Sequence, residues 1–177
     1  NGKYDLAVAG FQRFVKDFPG TSLTPNAYYW LGESAYQQKD YVRAMQSFEY
    51  LTAEYPGNEK VPAALLKSGL AAGETGDLAK SKKNLKRVIE EFPTSDEAKL
   101  AKNKLAALAY AELLRGRKPA AIAAAEKVVA TSQARTIRFL AALIFVEAGA
   151  APKARPIAIS LGNDLQPESQ AYASIID

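Results

Sequence analysis

The feature that most constrains the fold of this chain is a recurrence of 37 residues. The segments KDFPG, AEYPG and EEFPT each end a helix-like stretch, and their prolines are Pro19, Pro56 and Pro93. Gly32 and Gly69 share the same offset. Because several independent positions repeat with one period, the sequence predicts an array of small repeats that stack on their neighbours.

Each period predicts two helices joined by a short turn. An apolar stripe with helical spacing precedes each proline, and proline ends a helix because it lacks the amide hydrogen and clashes with the preceding turn. Thr24 is the expected N-cap of the next helix, with Pro25 at its first position. Gly32 and Gly69 lie inside helices, where glycine costs about 1 kcal/mol relative to alanine, so we expect close helix contacts there. The segments QKDY and TGDL form the turns.

The composition argues against a catalytic site. The 177 residues include no cysteine and no histidine, which excludes disulfides and zinc-thiolate sites and removes the commonest general base. The segment GETGD is predicted to be a hairpin turn, not a phosphate-binding loop. We therefore expect no enzymatic activity and no cofactor. No apolar run approaches the roughly 20 residues of a membrane helix, so no membrane insertion is expected either.

The repeat resembles the tetratricopeptide (TPR) family. Counted from Pro25, the family's aromatic, leucine, glycine, alanine, aromatic and proline positions are occupied by Tyr28, Leu31, Gly32, Ala44, Phe48 and Pro56. The next copy keeps the glycine and proline but has Ser81 in place of the small alanine. The resemblance implies an all-α fold, a right-handed TPR superhelix (α-solenoid) of stacked antiparallel helix hairpins.

Residues 1–105 look specifically like the C-terminal TPR domain of the Tol-Pal-associated periplasmic protein, the YbgF/CpoB family. The resemblance rests on the run from YDLAVAGFQRFVKDFPGT to KKNLKRVIEEFP. It implies a periplasmic protein that binds TolA and a bifunctional penicillin-binding protein, and that coordinates the Tol-Pal system with peptidoglycan synthesis in cell division.

Residues 106–177 differ in composition and in repeat spacing. They hold 20 alanines and 4 aromatics, whereas residues 1–105 hold 13 of each. The small residue of the second helix recurs at Ala121 and Ala154, which is 40 and then 33 residues after the previous copy. We predict a second TPR-like array, with helices around 96–115, 118–130, 134–148 and 152–162. The alternatives are a natural divergent extension and an engineered fusion through a shared helix of about 95–115; we favour the fusion.

A concave groove is the predicted partner-binding site. First helices of stacked hairpins line this groove, and side chains three or four residues apart on them point into it. The expected groove residues come from three successive first helices: Asn26, Tyr29, Glu33, Tyr36 and Gln37, then Leu66, Leu70 and Glu74, then Asn103 and Tyr110. We interpret Tyr28 as a packing residue, and leave Trp30 open between packing and binding.

The groove lacks the lysine and asparagine clamp that binds C-terminal carboxylates in other TPR domains, since Glu33 stands where an asparagine is expected. An extended or helical segment with apolar anchors is therefore the expected ligand. The cluster from Lys80 to Arg87 is interpreted as a solvated helix face and not a nucleic-acid site. The rival hypothesis to partner binding is a rigid engineered scaffold with no ligand of its own.

Overall fold

A computed structural model of the chain describes residues 2–163, which fold entirely into α-helices and the turns between them. The helices are α1 (Gly2–Asp17), α2 (Thr24–Gln37), α3 (Tyr41–Glu54), α4 (Val61–Glu74), α5 (Leu78–Glu91), α6 (Asp96–Leu114), α7 (Lys118–Thr131), α8 (Arg135–Glu147) and α9 (Ala151–Gly162). Helices α1, α3 and α5 end just before Pro19, Pro56 and Pro93. The predicted all-α fold of helix hairpins is confirmed.

The chain divides into two compact units, residues 1–101 and residues 102–177. The division falls inside α6, which runs without interruption from Asp96 to Leu114. The sequence placed the boundary at 105/106, four residues later. Whether the two parts come from different lineages stays a prediction.

Unit 1 is built from hairpins whose helices meet at a small residue. A methyl group built on Gly32 of α2 would lie 2.6 Å from the ring of Phe48 on α3, and one built on Gly69 of α4 would lie 3.1 Å from Leu85 on α5. Both glycines are buried, and Phe48 and Leu85 are fully buried. The predicted close contacts at the two glycines are confirmed.

Two aspartates fix where the second helix of each hairpin in unit 1 begins. The amide of Arg43 donates to Asp40 Oδ1 over 3.1 Å, and the amide of Lys80 donates to Asp77 Oδ1 over 2.9 Å. Each bond satisfies one of the amides that a helix N-terminus leaves without a partner. The two caps are 37 residues apart, as the repeat requires.

One residue in each hairpin turn adopts the left-handed conformation. Gly76, Gly116 and Gly149 have φ between 73° and 82°, and Lys39 has φ of 63°. Each stands five residues before the small buried residue of its hairpin, so the turn register inferred from sequence holds in both units. The small residues are Ala44, Ser81, Ala121 and Ala154, all at most 1% exposed.

Unit 2 packs mainly through alanine. Its core combines alanines of α6 to α9 with a few larger side chains, namely Ile144, Phe145, Ile157 and Leu161. The helices predicted for this region agree with α6 to α9 to within two residues. Arg117 and Ala150, which precede α7 and α9, provide no side-chain cap, unlike the aspartates of unit 1.

Thr24 does not cap α2, contrary to the sequence prediction. It is the first residue of the helix, and the preceding Leu23 offers no side-chain cap. The Thr24 hydroxyl instead donates to the carbonyl of Phe18 over 2.8 Å and accepts from the amide of Thr21 over 2.9 Å. The buried hydroxyl thus ties the helix start to the turn before it.

The terminal segment QPESQAYASIID, residues 166–177, lies outside the described residues. No helix in the described part of the chain has the length and apolar character needed to cross a membrane.

Candidate protein-binding surface

A row of polar and aromatic side chains follows one face of α2. Glu33 lies four residues after Tyr29, and Tyr36 and Gln37 lie three and four residues after Glu33, a spacing that places them on one side of a helix. Tyr29 and Tyr36 are half-buried and Gln37 is exposed. The row therefore offers aromatic surface to solvent while each ring is held by its neighbours.

Lys67 of α4 joins this row through Glu33. The lysine Nζ lies 2.9 Å from Glu33 Oε2 and donates to Oε1 over 3.0 Å, and the Gln37 amide donates to the same Oε1 over 3.0 Å. The Glu33 side chain is 16% exposed and that of Lys67 is 28% exposed. The pair is thus partly shielded from water, and three donated contacts hold the carboxylate in one place.

Lysine ammonium groups lie beside both tyrosine rings. Lys67 Nζ is 5.4 Å from the ring centroid of Tyr36, and Lys60 Nζ is 6.0 Å from that of Tyr29. Both distances are within the range of cation–π attraction, which is worth about 0.5–1 kcal/mol at exposed sites. Lys67 therefore restrains Tyr36 and Glu33 together.

The two phenols keep their protons. Burial raises the pKa of Tyr29, and the carboxylates of Glu33 and Glu97 raise it further. Burial also raises the pKa of Tyr36, with added contributions from Glu74, Tyr41 and Glu33. Each hydroxyl thus remains a neutral hydrogen-bond donor well above neutral pH.

Trp30 and Tyr28, the residues beside the row, differ in environment. Trp30 is 49% exposed and meets Tyr29 edge to face, with ring centroids 5.3 Å apart. Tyr28 stacks on Tyr50 of α3 at 4.2 Å, in line with its interpretation as a packing residue. Trp30 is thus open to a partner, whereas much of the Tyr28 ring face is already covered.

Asn26 also lies on α2 and is half-buried. Its Oδ1 atom is buried and has no hydrogen-bond partner within the described residues. An unsatisfied buried acceptor costs free energy, and because this oxygen is closed to solvent it is not exposed to a partner either.

The remaining predicted groove residues differ in their exposure to solvent. Leu66 is only 5% exposed and belongs to the core, so it is not open to a partner. The sequence assigned it to the groove because it repeats Tyr29 with the 37-residue offset, but α4 buries this position. Leu70 is half-buried and Glu74 is exposed. Asn103 and Tyr110 are exposed on the part of α6 that belongs to unit 2.

Sequence reasoning missed Lys67 and Lys60. Lys67 repeats Trp30 with the 37-residue offset, so the period pointed to an aromatic position and not to a partner of Glu33. The available signal was charge: Glu33 is the only acidic residue of α2, and Lys67 is the only basic residue of α4.

The chemical groups of this surface are suited to binding. The surface presents tyrosine hydroxyls, aromatic faces and one ion pair, and the chain has no histidine or cysteine. Residues 2–163 contain no group of acidic side chains arranged to hold a metal ion. An enclosing segment of protein could use the rings as anchors and the hydroxyls as donors.

Family models match most of unit 1. Residues 1–59 match one model of the tetratricopeptide repeat, and residues 63–95 match a second model with the same description. No curated protein matches the sequence.

Solved structures resemble the chain in fold. The C-terminal part of a TPR repeat-containing protein from Cytophaga hutchinsonii superposes with a TM-score of 0.64 at 14% identity, over 99% of this chain and 66% of that one. A thermophilic TPR protein from Thermus thermophilus gives a TM-score of 0.45 at 19% identity, over 99% of this chain and 91% of that one. At 14% identity, the first likeness concerns the fold alone.

Proposed function

Residues 1–59 and 63–95 are tetratricopeptide repeats, and from this we infer that the chain is a protein-interaction scaffold. We propose that the surface formed by Tyr29, Glu33 and Tyr36 of α2 with Lys67 of α4 holds a segment of a partner protein. Repeats of this type generally bind proteins or peptides and carry no catalytic machinery.

The observation that supports this site is the restrained aromatic row. Tyrosine and tryptophan are the residues most often found at the energetic centre of protein interfaces. Here Tyr29 and Tyr36 are already fixed by Lys60, Lys67 and Glu33, so little side-chain freedom is lost when a partner binds. An extended or helical segment with apolar anchors suits the surface.

The physiological partner is proposed from the resemblance of residues 1–105 to the Tol-Pal-associated family. On this proposal the chain acts in the periplasm, binds TolA and a bifunctional penicillin-binding protein, and links the Tol-Pal system to peptidoglycan synthesis during cell division. The resemblance in the repeats supports this, as does the absence of cysteine, which suits an oxidising compartment.

Calorimetric titration of the chain with the middle region of TolA tests both the proposed surface and the proposed partner. We expect Tyr36→Ala to weaken binding by about tenfold or more, as for an aromatic anchor at an interface. The matched control is Tyr4→Ala on α1, an exposed tyrosine (43%) that does not belong to the row. Circular dichroism confirms that each variant keeps its helices.

Three results are informative. Binding that Tyr36→Ala weakens and Tyr4→Ala leaves unchanged supports the surface and the partner. Binding that neither variant changes would refute the surface but keep the partner. If TolA and the penicillin-binding protein fail to bind a folded chain, the Tol-Pal proposal is wrong, and the rigid scaffold without a ligand becomes the better interpretation.

A further inference from the structure

Positive charge is concentrated in unit 2. Residues 1–101 contain 13 lysines and arginines and 13 aspartates and glutamates, so unit 1 is neutral overall. Residues 102–177 contain ten lysines and arginines and six aspartates and glutamates, so unit 2 carries the whole excess of four positive charges. Such an asymmetry indicates an acidic partner for the basic part of a chain.

A surface cavity lies within this basic unit. It has a volume of about 410 Å³ and lies among α7, α8 and α9. Its apolar lining includes Val129 of α7, Phe145 of α8 and Ile157 of α9. Phe145 and Ile157 are also core residues, at 2% and 4% exposed, so the floor of the cavity is held by the packing of the unit.

Charged side chains line the same cavity. Lys153 of α9 forms an ion pair with Glu126 of α7, and both line the cavity. Arg138 of α8 also lines it, and its side chain donates to the Gln133 amide oxygen over 3.0 Å. Among the described residues Arg138 has no acidic partner. The cavity therefore holds one lysine that already binds a carboxylate and one arginine that does not.

We propose that this cavity is a second binding site, which takes an acidic protein segment with an apolar anchor. The anchor enters between Val129, Phe145 and Ile157, and a glutamate or aspartate beside it pairs with Arg138. Glu126 competes with the partner for Lys153, since it supplies the same chemical group from within the chain.

An acidic protein segment fits better than a nucleic acid or a small carboxylate. Single-stranded nucleic acids stack on exposed aromatic rings, but the aromatic ring in this cavity, that of Phe145, is buried. A small carboxylate would use only Arg138 and Lys153. An extended acidic segment also gains from the other lysines and arginines of unit 2, which strengthen and speed its association.

The test uses fluorescence anisotropy with the full chain and a labelled 12-residue peptide in which phenylalanine is flanked by glutamates. Two further probes are the same peptide with glutamine in place of glutamate, and an oligouridine of equal length. We expect the glutamate peptide to bind, and to bind more weakly as salt rises through the screening range of about 0.1 M. The glutamine peptide should bind at least about tenfold more weakly.

Three variants locate the site. Arg138→Ala should weaken binding by about three- to tenfold, as for the loss of one partly shielded charge pair. Glu126→Gln should strengthen binding, because it removes the internal competitor for Lys153. Lys127→Ala is the matched control: Lys127 is exposed on α7 beside Glu126 and does not line the cavity. It should change binding by less than about twofold.

The proposal is overturned if the glutamate peptide does not bind, if oligouridine binds as tightly, or if Arg138→Ala and Lys127→Ala have equal effects. A fall in affinity on Glu126→Gln would also contradict it. None of these variants lies in α2 or α4. The outcome is therefore independent of the surface at Tyr29 and Tyr36.

Discussion

At the scale of single residues, two equivalent glycines meet different neighbours. Gly32 faces the Phe48 ring, and Gly69 faces the smaller Leu85 side chain. A Cβ at Gly32 would come within 2.6 Å of a fully buried ring, which is closer than such atoms approach in folded proteins. At Gly69 the nearest atom is 3.1 Å away, so a small shift of Leu85 could accommodate a methyl group.

We therefore expect Gly32→Ala to destabilise the protein by about 1–3 kcal/mol, because overpacking outweighs the gain of about 1 kcal/mol in helix propensity. Gly69→Ala should lower the free energy of unfolding by less than Gly32→Ala does, with a difference of about 1 kcal/mol or more. The gain in helix propensity offsets the milder contact with Leu85. Urea denaturation of the two variants measures the difference. Equal free energies of unfolding would show that the close approach at Gly32 does not limit the packing.

Ser81 is the polar exception among the equivalent small buried residues of α3, α5, α7 and α9. It is fully buried, its Oγ has no hydrogen-bond partner within the described residues, and the equivalent residue of the previous repeat is Ala44. Ser81→Ala should stabilise the protein by about 1–2 kcal/mol, because it removes an unsatisfied buried hydroxyl. The reverse change, Ala44→Ser, should destabilise by a similar amount. A loss of thermal stability on Ser81→Ala would reveal a bound water or another partner for the hydroxyl.

Tyr28 makes stability depend on pH in the alkaline range. Burial, together with a hydrogen bond to Tyr50, raises the pKa of Tyr28 from 10.0 to about 12. Between these pH values the folded protein keeps a proton that the unfolded chain loses, so the stabilisation present below pH 10 is lost as pH rises towards 12. Urea denaturation at about pH 9, 10 and 11 should show a shallower loss for Tyr28→Phe than for the parent. Parallel losses would contradict the raised pKa of Tyr28.

At the scale of helices, the prolines and the 37-residue period were sufficient to predict where helices end and pair. Proline ends a helix because of its own backbone, whatever its neighbours are. The repeat period can likewise be read from the sequence without knowing which side chains contact each other. Contacts that depend on one particular neighbour were not predictable. Lys67 pairs with Glu33 across two helices, and the Thr24 hydroxyl bonds Phe18 six residues back, so neither contact follows from the period.

The capping aspartates allow a test at this scale. Asp77→Ala should destabilise the protein by about 1 kcal/mol, because the Lys80 amide at the start of α5 loses its acceptor. Asp77→Asn keeps an acceptor at the same place and should cost less than half as much. Chemical denaturation compares the two. If both substitutions cost the same, the charge of Asp77 and not its hydrogen bond would be what stabilises α5.

At the scale of the whole molecule, α6 is the element that belongs to both units. It is rich in alanine, leucine and lysine and contains neither proline nor glycine, so the sequence could predict its length closely. The buried Ala98 and Ala101 lie in unit 1, and the buried Ala109 lies in the core of unit 2. The change in composition placed the division at 105/106, four residues too late, because a continuous helical pattern carries no sharper mark of it.

Hydrogen exchange can check that continuity. The amides from Lys102 to Leu105, just after the division, should exchange as slowly as those of Ala106 to Ala109, because all are bonded within one helix. The exposed Lys118 and Ala120 supply an internal reference for fast exchange, because their amides precede the first helical bond of α7, that of Ala121 to Arg117. Fast exchange confined to Lys102–Leu105 would show that α6 opens at the division.

The sequence predicted the general function of a repeat class, namely protein binding, but not the individual contacts of a binding site. The period indicated a binding protein, and the structure shows Tyr29, Glu33 and Tyr36 as half-buried and Leu66 as buried, while their role in binding stays a prediction. The cavity at Arg138 had no counterpart in the sequence pattern, because its lining comes from three helices that share no motif.

The pairing of Gly32 with Phe48, and of Gly69 with Leu85, has a consequence for how such a chain can evolve. In each hairpin the glycine of the first helix leaves a space that one side chain of the second helix fills. That side chain is the Phe48 ring in one hairpin and Leu85 in the other. A single helix exchanged between repeats would bring the wrong partner to that space. Duplication, deletion or recombination is therefore best tolerated when it moves a whole hairpin, so inheritance in this chain is expected to act on pairs of helices.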